Sequence, residues 1–177
     1  LKRAETRNTG GSLDEVRREQ DTLVKSAYRK LLSTDLIAVP VSTSYTATAP
    51  TISGLYDGEE GTYRVSVERA VNPGDFELET FGIEHSLGTP IEEDEPTELG
   101  TRGLYITFAD SIGTYNGTTW EITIPNKKHD SYLANYNAYQ AALRTRDVAI
   151  SDAEAELRDG PGGSVADAEL QRAEADV

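Results

Sequence analysis

The stretch GTYRVSVERAVNPGDFELET, residues 61–80, decides the fold of the middle of the chain. Apolar or aromatic side chains stand at every second position on both sides of a turn, at Tyr63, Val65, Val67, Phe76 and Leu78. This alternation is typical of β-strands that bury one face and leave the other in water. Residues 72–75, Asn-Pro-Gly-Asp, have the composition of a tight turn. The stretch therefore predicts two consecutive antiparallel strands.

The same composition, rich in Val, Thr, Tyr, Gly and Pro, continues over residues 36–127. Six or seven short strands are expected there, and those beyond the first two fall near residues 36–43, 51–56, 105–109 and 120–124. Short strands separated by turns are typical of an antiparallel sandwich or barrel. We therefore expect residues 36–127 to form a small antiparallel β-sandwich with Trp120 in its core.

Residues 12–35 change to a helical pattern. Ser12 is a candidate N-cap, and Glu15 three residues later completes a capping box. An apolar stripe with one polar interruption follows at spacings of three and four, through Leu13, Val16, Gln20, Leu23, Ala27 and Leu31. Such a stripe is typical of a helix in a coiled coil or a bundle, so we expect a first helix here.

Residues 128–159 predict a second helix with heptad periodicity. Two series recur every seven residues: Tyr132, Tyr139, Arg146 and Ala153, and Tyr136, Leu143, Ile150 and Leu157. Residues 160–163, Gly-Pro-Gly-Gly, predict a glycine turn after it, because glycine adopts the left-handed cap conformation and proline cannot continue a helix. Two arrangements remain open, an antiparallel helical hairpin and a parallel coiled coil of several chains. The turn favours the hairpin.

The chain also contains an internal recurrence. AETRNTGGS at residues 4–12 returns as AELRDGPGGS at residues 155–164, so that Ser164 follows Ser12 by 152 residues. A fixed period indicates a tandem array whose units stabilise one another. On this interpretation residues 1–11 finish the helix and turn of a preceding repeat, and residues 164–177 begin the helix of the next. The predicted fold class is α+β, a β-sandwich inserted between heptad-patterned helices in a tandem-repeat architecture.

Charge and composition exclude several functional classes. The chain has 31 acidic and 17 basic residues, which gives a net charge of −14. Because nucleic-acid binding requires clustered Lys and Arg, we expect no nucleic-acid partner. The absence of cysteine excludes disulfides and zinc–thiolate sites. No apolar run is long enough to predict a membrane span.

The β-region carries further sequence features. They are PTISGLYDG at residues 50–58, GTY at 61–63, LGTRGLYITF at 99–108 and YNGTTWEI at 115–122. With these features, residues 48–125 resemble a β-module of repetitive fibre and surface proteins of tailed bacteriophages and of bacterial adhesin-like proteins. The resemblance implies an extracellular or virion-surface location. The closing feature departs from the usual pattern, because Thr118 stands where an aspartate follows the glycine, and this weakens any metal role there.

Motifs for catalysis are scarce. A Ser–His–Asp triad would have to use His85 or His129, the two histidines of the chain. His129 has the charged neighbours of a surface residue, and His85 lies in the hairpin sequence EHSLG. The chain contains no nucleophile-elbow motif and no Gly-rich phosphate loop. We therefore predict that the protein is not an enzyme.

Calcium is the one cofactor that we consider. Its candidate ligands are Asp57, Glu59 and Glu60 in the turn DGEEG, since calcium takes several carboxylate oxygens. The alternating Asp/Asn spacing of a calcium-binding loop is absent from this turn, so no metal site is expected. The acidic run at residues 92–95 is expected to be a solvated loop, with calcium binding as its alternative.

Two further motifs have an ordinary structural interpretation. Asn116 begins an N-glycosylation sequon, but Asn-Gly between two strands is also the strongest short-range signal of a type I′ hairpin turn. We expect the turn. Tyr132, Tyr136 and Tyr139 line up on the second helix, where seam residues of a bundle are expected rather than a platform for sugars.

These features together predict a structural repeat unit of an extracellular or virion fibre. The helices form its spine and the β-sandwich is displayed. The expected partners are neighbouring repeats or identical chains. The alternative is a carbohydrate- or receptor-binding adhesion module on a helical stalk, for which a glycan or a cell-surface receptor is the partner.

Overall fold

The computed structural model describes residues 2–159 of the chain. Within them, helix α1 spans Lys2–Ser33, helix α2 spans Ser131–Asp159, and all strands lie between the two helices. The strands are β1 Val39–Pro40, β2 Thr51–Gly54, β3 Gly61–Arg69, β4 Phe76–Gly82, β5 Ser86–Pro90, β6 Thr97–Glu98, β7 Leu104–Thr107 and β8 Thr118–Ile124, with a 3-10 helix at Ile112–Tyr115. The predicted α+β class, with antiparallel strands inserted between two helices, is confirmed.

The described strands form two antiparallel sheets. One has the order β1-β8-β3-β4-β5 and the other has the order β2-β7-β6. Strand β3 lies at the centre of the larger sheet, where Val65 is opposite Thr80 of β4 and Trp120 of β8. An isolated bridge between Ile37 and Thr51 joins the chain before β1 to β2, so the two sheets are connected along this side.

One hydrophobic core is shared by both sheets. The alternation in residues 61–80 places Tyr63, Val65, Val67 and Leu78 in it, all fully buried. Trp120 of the larger sheet and Ile106 of the smaller sheet belong to the same cluster. Burial of these side chains is the main favourable contribution to folding, at about 1.5–3 kcal/mol for each large apolar side chain. The predicted core position of Trp120 is confirmed.

The strand pattern differs from the predicted one at its margins. The strand expected at residues 36–43 is reduced to two residues, because Pro40 has no N–H to donate to a ladder. Strands β5 and β6 were not predicted from alternation. Strand β5 contains a glycine and ends in proline, and the two residues of β6 are too short for a periodic signal.

Helix α1 begins ten residues earlier than expected. The predicted turn in residues 1–11 and the predicted N-cap at Ser12 are both wrong, since the helix continues through Gly10 and Gly11. A glycine in a helix costs about 1 kcal/mol relative to alanine, and residues 2–9 contain no proline to stop the helix. The glycine turn at residues 160–163 and the third helix at 164–177 lie outside the described residues.

The described residues divide into two compact units. Residues 28–136 form the first, here called the β-domain, which contains both sheets and the adjoining ends of the two helices. The remaining described parts of α1 and α2 form the second, here called the helical unit. Neither described helix is long and apolar enough to cross a membrane.

The helices of the helical unit run antiparallel. Arg17 pairs with Glu154 at 2.7 Å, and Asp21 lies 4.0 Å from Arg146. From Arg17 to Asp21 the residue number on α1 increases, while that of the partner on α2 decreases from 154 to 146. Partners follow this opposite order when two helices are antiparallel, as in a hairpin. Exposed pairs of this kind contribute little to stability, so they report the direction of the helices rather than hold them together.

The seam of the helices agrees with the predicted one at most positions. On α2 the half-buried residues include all of the first series, Tyr132, Tyr139, Arg146 and Ala153, and two of the second, Leu143 and Ile150. Asn135, Ala142 and Ala149 are also at least half-buried. Tyr136, expected in the seam, is 40% exposed. On α1, Val24 is half-buried in place of Leu23, which is 52% exposed. The sequence therefore predicted both helices and most of the residues that they bury, and it was wrong at Leu23, Tyr136 and Leu157.

Candidate functional site

The first notable site is the junction, the part of the β-domain where both helices meet the sheets. Two residues after the end of α1, Asp35 is in the left-handed conformation, at φ 53°, a common way to terminate a helix. The carbonyl of Asp35 accepts a hydrogen bond from the amide of Asn126 at 2.6 Å. Its carboxylate accepts one from the hydroxyl of Ser131 at 2.5 Å, at the first residue of α2. Asp35 thus ties the end of one helix to the start of the other.

The loop between β2 and β3 fastens the same region. Asp57 accepts a hydrogen bond from the guanidinium group of Arg29, on α1. Glu60 lies 2.7 Å from the ammonium group of Lys127, just before α2. The backbone N–H of Tyr56 donates to the hydroxyl of Ser33 at 2.8 Å. One loop of the sheet therefore contacts both helix ends.

These contacts include the three residues that the sequence offered as candidate calcium ligands. Asp57 and Glu60 each contact a different cation, and the backbone carbonyl of Glu59 accepts the hydroxyl of Tyr56 at 3.0 Å. Among the described residues, no group of three or more His, Cys, Asp or Glu side chains could hold a metal ion. Asp57 and Glu60 therefore fasten the loop between β2 and β3 to Arg29 of α1 and to Lys127, within the β-domain.

The residue types of a hydrolytic triad meet at the junction, but with different connections. Both the hydroxyl of Ser131 and the carboxylate of Asp35 lie 3.0 Å from Nδ1 of His129. In a catalytic triad the hydroxyl and the carboxylate bind opposite ring nitrogens, so that a proton can pass through the ring. Here Ser131 donates directly to Asp35, and its backbone N–H faces His129. This arrangement caps the start of α2 and provides no relay to a nucleophile.

A second polar network connects two turns of the β-domain. The carboxylate of Glu84 accepts hydrogen bonds from the Tyr63 hydroxyl, from the backbone N–H of Thr101 at 3.1 Å and from the Thr101 hydroxyl at 2.6 Å. The guanidinium group of Arg102 lies 3.9 Å away. Sequence reasoning missed this network, because its members come from separate strands and turns with no fixed spacing.

The network determines the protonation state of Glu84. Burial raises the pKa of this carboxyl, but hydrogen bonds from Thr101 and Tyr63 and the charge of Arg102 outweigh burial, so the pKa lies below its ordinary value. Burial, together with the hydrogen bond to Glu84, raises the pKa of the Tyr63 hydroxyl. A carboxylate whose oxygens are occupied in this way is a structural cross-link and not a free general base.

The second notable site lies at the end of the β-domain opposite the junction, here called the distal pole. Gly61 of β3 pairs with Ile124, next to the junction, whereas Arg69 at the other end of β3 pairs with Phe76. These ends of β3 are roughly 26 Å apart at 3.3 Å per residue. The β3–β4 hairpin, the loop after β5 and the 3-10 helix all meet at the distal pole.

These segments enclose a cleft of about 710 Å³, within the range of small-ligand sites. Its lining residues are Ala70, Val71, Asn72, Gly74, Asp75, Phe76, Glu77, Pro90, Ile91, Glu92, Glu93, Ser111, Ile112 and Gly113. Ile91 and Ile112 are buried and Phe76 is half-buried, while Val71 is 99% exposed. The cleft therefore combines an apolar floor with an apolar side chain standing in water beside it.

Four acidic residues line this cleft, and no described lysine, arginine or histidine does. They are Asp75, Glu77, Glu92 and Glu93, of which Glu77 has its carboxylate near Gly88, outside the cleft lining. None of the four carboxylates has an ion pair or a side-chain hydrogen bond with the described part of the chain. The acidic run at residues 92–95 is exposed, as the sequence predicted, and two of its members face the cleft.

The prediction for Asn116 is wrong in its geometry. A type I′ turn needs positive φ at both central residues, but Asn116 has φ −53° and ψ 126°, and only Gly117 has positive φ, at 71°. These angles belong to a type II turn. The turn follows the 3-10 helix and does not join two paired strands, since β7 and β8 lie in different sheets. The side chain of Asn116 is exposed.

The aromatic residues of α2 are only partly in the seam. The rings of Tyr132 and Tyr136 stack with centroids 6.0 Å apart, and Tyr136 is the more exposed of the two. Tyr139 is half-buried. His85 packs against Phe81 with ring centroids 5.1 Å apart and is exposed. In the described residues, these three tyrosines and His85 do not form a pair of a nucleophile and a histidine.

Comparison with known proteins does not assign either site. No family model matches the chain, and neither a curated protein nor a solved structure is significantly similar to it. The junction and the distal cleft are therefore interpreted from their own geometry. The junction fastens the sheets to the adjoining helix ends, and the cleft is an accessible cavity with acidic lining residues at the opposite end of the β-domain.

Proposed function

We propose that the chain is a structural repeat unit of an extracellular or virion fibre, in which the helices form the spine and the β-domain is displayed. The observation that carries this proposal is the junction. Its two ion pairs and its Asp35-centred hydrogen bonds hold the sheets to the adjoining helix ends within the β-domain. A set of sheets that is fastened where the chain enters and leaves it is suited to display on helices.

The apolar surface of the helices supports self-association. Leu23 on α1 and Val148 on α2 are each more than half exposed, and Leu157 is 40% exposed. Two helices alone leave such side chains in water, and further helices from neighbouring repeats or identical chains can cover them. The 152-residue recurrence in the sequence supplies the periodicity of such an array.

Electron microscopy of the protein together with the neighbouring repeats that this proposal expects tests the fibre. The expected image is a filament or rod with regularly spaced knobs. A compact, globular particle would contradict the proposal. For the chain alone, sedimentation analysis tests whether Leu23→Ser and Val148→Ser together reduce self-association relative to the parent chain. A chain that stays monomeric at all concentrations would remove identical chains from the proposed partners.

The distal cleft favours a second candidate, an adhesion module that binds a carbohydrate or a cell-surface receptor. A ligand cavity at the free end of a displayed domain is in position to meet a partner. Repetition of weak sites along a fibre raises overall avidity, so this candidate is compatible with the first. Glycan-array and cell-binding measurements on the intact chain test it, and no binding above background would refute it.

A further inference from the structure

We propose that the distal cleft binds a basic peptide segment of a partner protein, in which an arginine or lysine side chain lies beside an apolar one. This inference rests on the adhesion candidate and specifies its partner. The first supporting feature is the size of the cleft, since about 710 Å³ is enough for two or three side chains but not for a folded domain.

The second feature is the distribution of charge. Asp75, Glu92 and Glu93 bring three negative charges to the cleft, and no lysine, arginine or histidine is among its described lining residues. The guanidinium group of Arg69 lies over the ring of Phe76, so it offsets this charge only at the floor. Two other acidic residues of the β-domain, Asp57 and Glu60, are paired with Arg29 and Lys127. Carboxylates that the described chain leaves unpaired form charge-assisted hydrogen bonds with an incoming guanidinium or ammonium group.

The third feature is the apolar part of the cleft. Phe76, Ile91 and Ile112 form its floor, and Val71 is almost entirely exposed at its rim. The guanidinium group of Arg69 lies 5.8 Å from the ring centre of Phe76, so this ring already accepts one cation. An apolar side chain next to the basic one fits this floor and covers Val71.

Glycan ligands fit these features less well. Acidic glycans carry carboxylate, sulfate or phosphate groups, which the unpaired carboxylates of the cleft repel. Neutral sugars usually stack on an exposed aromatic face, and Phe76, the aromatic residue of the cleft, is half-buried with an arginine beside it. Charge complementarity therefore selects a basic protein segment over a sugar.

Fluorescence anisotropy of a labelled peptide tests the proposal on the intact chain. The probe is acetyl-Leu-Arg-Leu-Arg-amide carrying fluorescein, and the neutral comparison is acetyl-Leu-Gln-Leu-Gln-amide with the same label. We expect the basic peptide to bind and the neutral one to bind far more weakly. Raising the salt concentration from about 0.05 M to about 0.5 M should weaken binding, because the Debye length shortens from about 14 Å to about 4 Å.

The test variant is Glu92→Gln with Glu93→Gln, two exposed positions whose side chains stabilise nothing else in the described structure. Each exposed ion pair contributes a factor of about two to five in affinity, so the double variant should bind roughly fivefold to tenfold more weakly. The control variant, Glu59→Gln with Glu98→Gln, changes the net charge equally outside the cleft and should bind as the parent does. Backbone NMR signals of Gly74 and Gly113, which line the cleft, should shift on peptide addition.

Several outcomes would overturn the proposal. They are no binding of the basic peptide, equal weakening by the control and test variants, unchanged NMR signals in the cleft, or a glycan that shifts those signals instead. The fibre is tested separately by filament formation. If the Glu92→Gln, Glu93→Gln variant binds cells as well as the parent chain does, the cleft is not the binding site, although the protein still binds cells.

Discussion

Replacing Thr80 by valine should stabilise the β-domain, although it removes a polar group from the middle of a strand. Thr80 of β4 is 1% exposed, and its hydroxyl has no hydrogen-bond partner among the described residues. A buried hydroxyl without a partner costs about 1–3 kcal/mol relative to one in water. Valine has nearly the same shape and the same β-branched rotamer preference, so it fits between Val65 and Ser86, the residues opposite Thr80. We expect the free energy of unfolding to rise by about 1 kcal/mol.

Thr118 provides the matched control. It is also buried, at 5% exposure, but its hydroxyl donates to the carbonyl of Tyr115 at 2.6 Å and accepts from the indole N–H of Trp120 at 2.9 Å. Thr118→Val leaves both partners buried without a hydrogen bond. The same chemical change should therefore lower the free energy of unfolding by about 2–3 kcal/mol.

Urea denaturation of the parent and the two variants measures both effects. Trp120 is the single tryptophan and lies in the core, so its fluorescence reports unfolding of the β-domain. Far-UV circular dichroism provides an independent probe for Thr118→Val, which alters the surroundings of the indole. For a domain of about 100 residues, 1 kcal/mol corresponds to a shift of about 4–8 °C in Tm. Destabilisation by Thr80→Val, or shifts of the same sign in both variants, would refute the hydrogen-bond reasoning.

Three further results are expected. Asp35→Ala should be less stable than Asp35→Gly by about 1 kcal/mol in thermal melts, because both lose the carboxylate but only alanine is strained at positive φ; equal melts would show that Asp35 is not held in that conformation. The lowered pKa of Glu84 means that its contribution to stability is complete above the ordinary glutamate pKa, about 4.3, and is lost as the pH falls through the lower native value; Glu84→Gln should therefore flatten this part of the curve of unfolding free energy against pH, and an unchanged curve would contradict the network. Gly82→Ala should be more destabilising than Gly74→Ala in urea, since both residues have φ near +97° but only at Gly82 would the added Cβ lie 2.1 Å from a backbone oxygen; similar losses would mean that the backbone of β3 yields at Thr62.

The β-domain shows how far local patterns predict a fold. The alternation around Val65 and Trp120 identifies buried strand faces, because side chains alternate between the two faces of any strand. The same rule carries no information about the pairing of β3 with β8, which lie far apart in the sequence. Short strands such as β6, with two residues, have no period to detect.

The sites were less accessible to sequence reasoning than the fold. Acidic residues such as Asp57 and Glu60 occur both in ion pairs and in calcium sites. The two cases are distinguished here by the positions of Arg29 and Lys127, which the sequence does not give. The distal cleft is formed by three segments that tertiary structure brings together. In the helices, heptad spacing predicted the apolar columns, but a one-residue choice between Leu23 and Val24 depended on the packing of the partner helix.

The hydrogen bond between Asn126 and the carbonyl of Asp35 has a consequence for how such a protein can vary. The polypeptide enters and leaves the sheets at neighbouring points, so everything between them amounts to one long closed loop. The entropic cost of bringing the two ends of a loop together rises only slowly with the length of the loop. Insertions, deletions or complete replacement of the segment between Asp35 and Asn126, here called the cassette, therefore change little in the cost of bringing the two helix ends together. Descendants of one such gene can therefore diversify the cassette while the rest of the polypeptide stays constant.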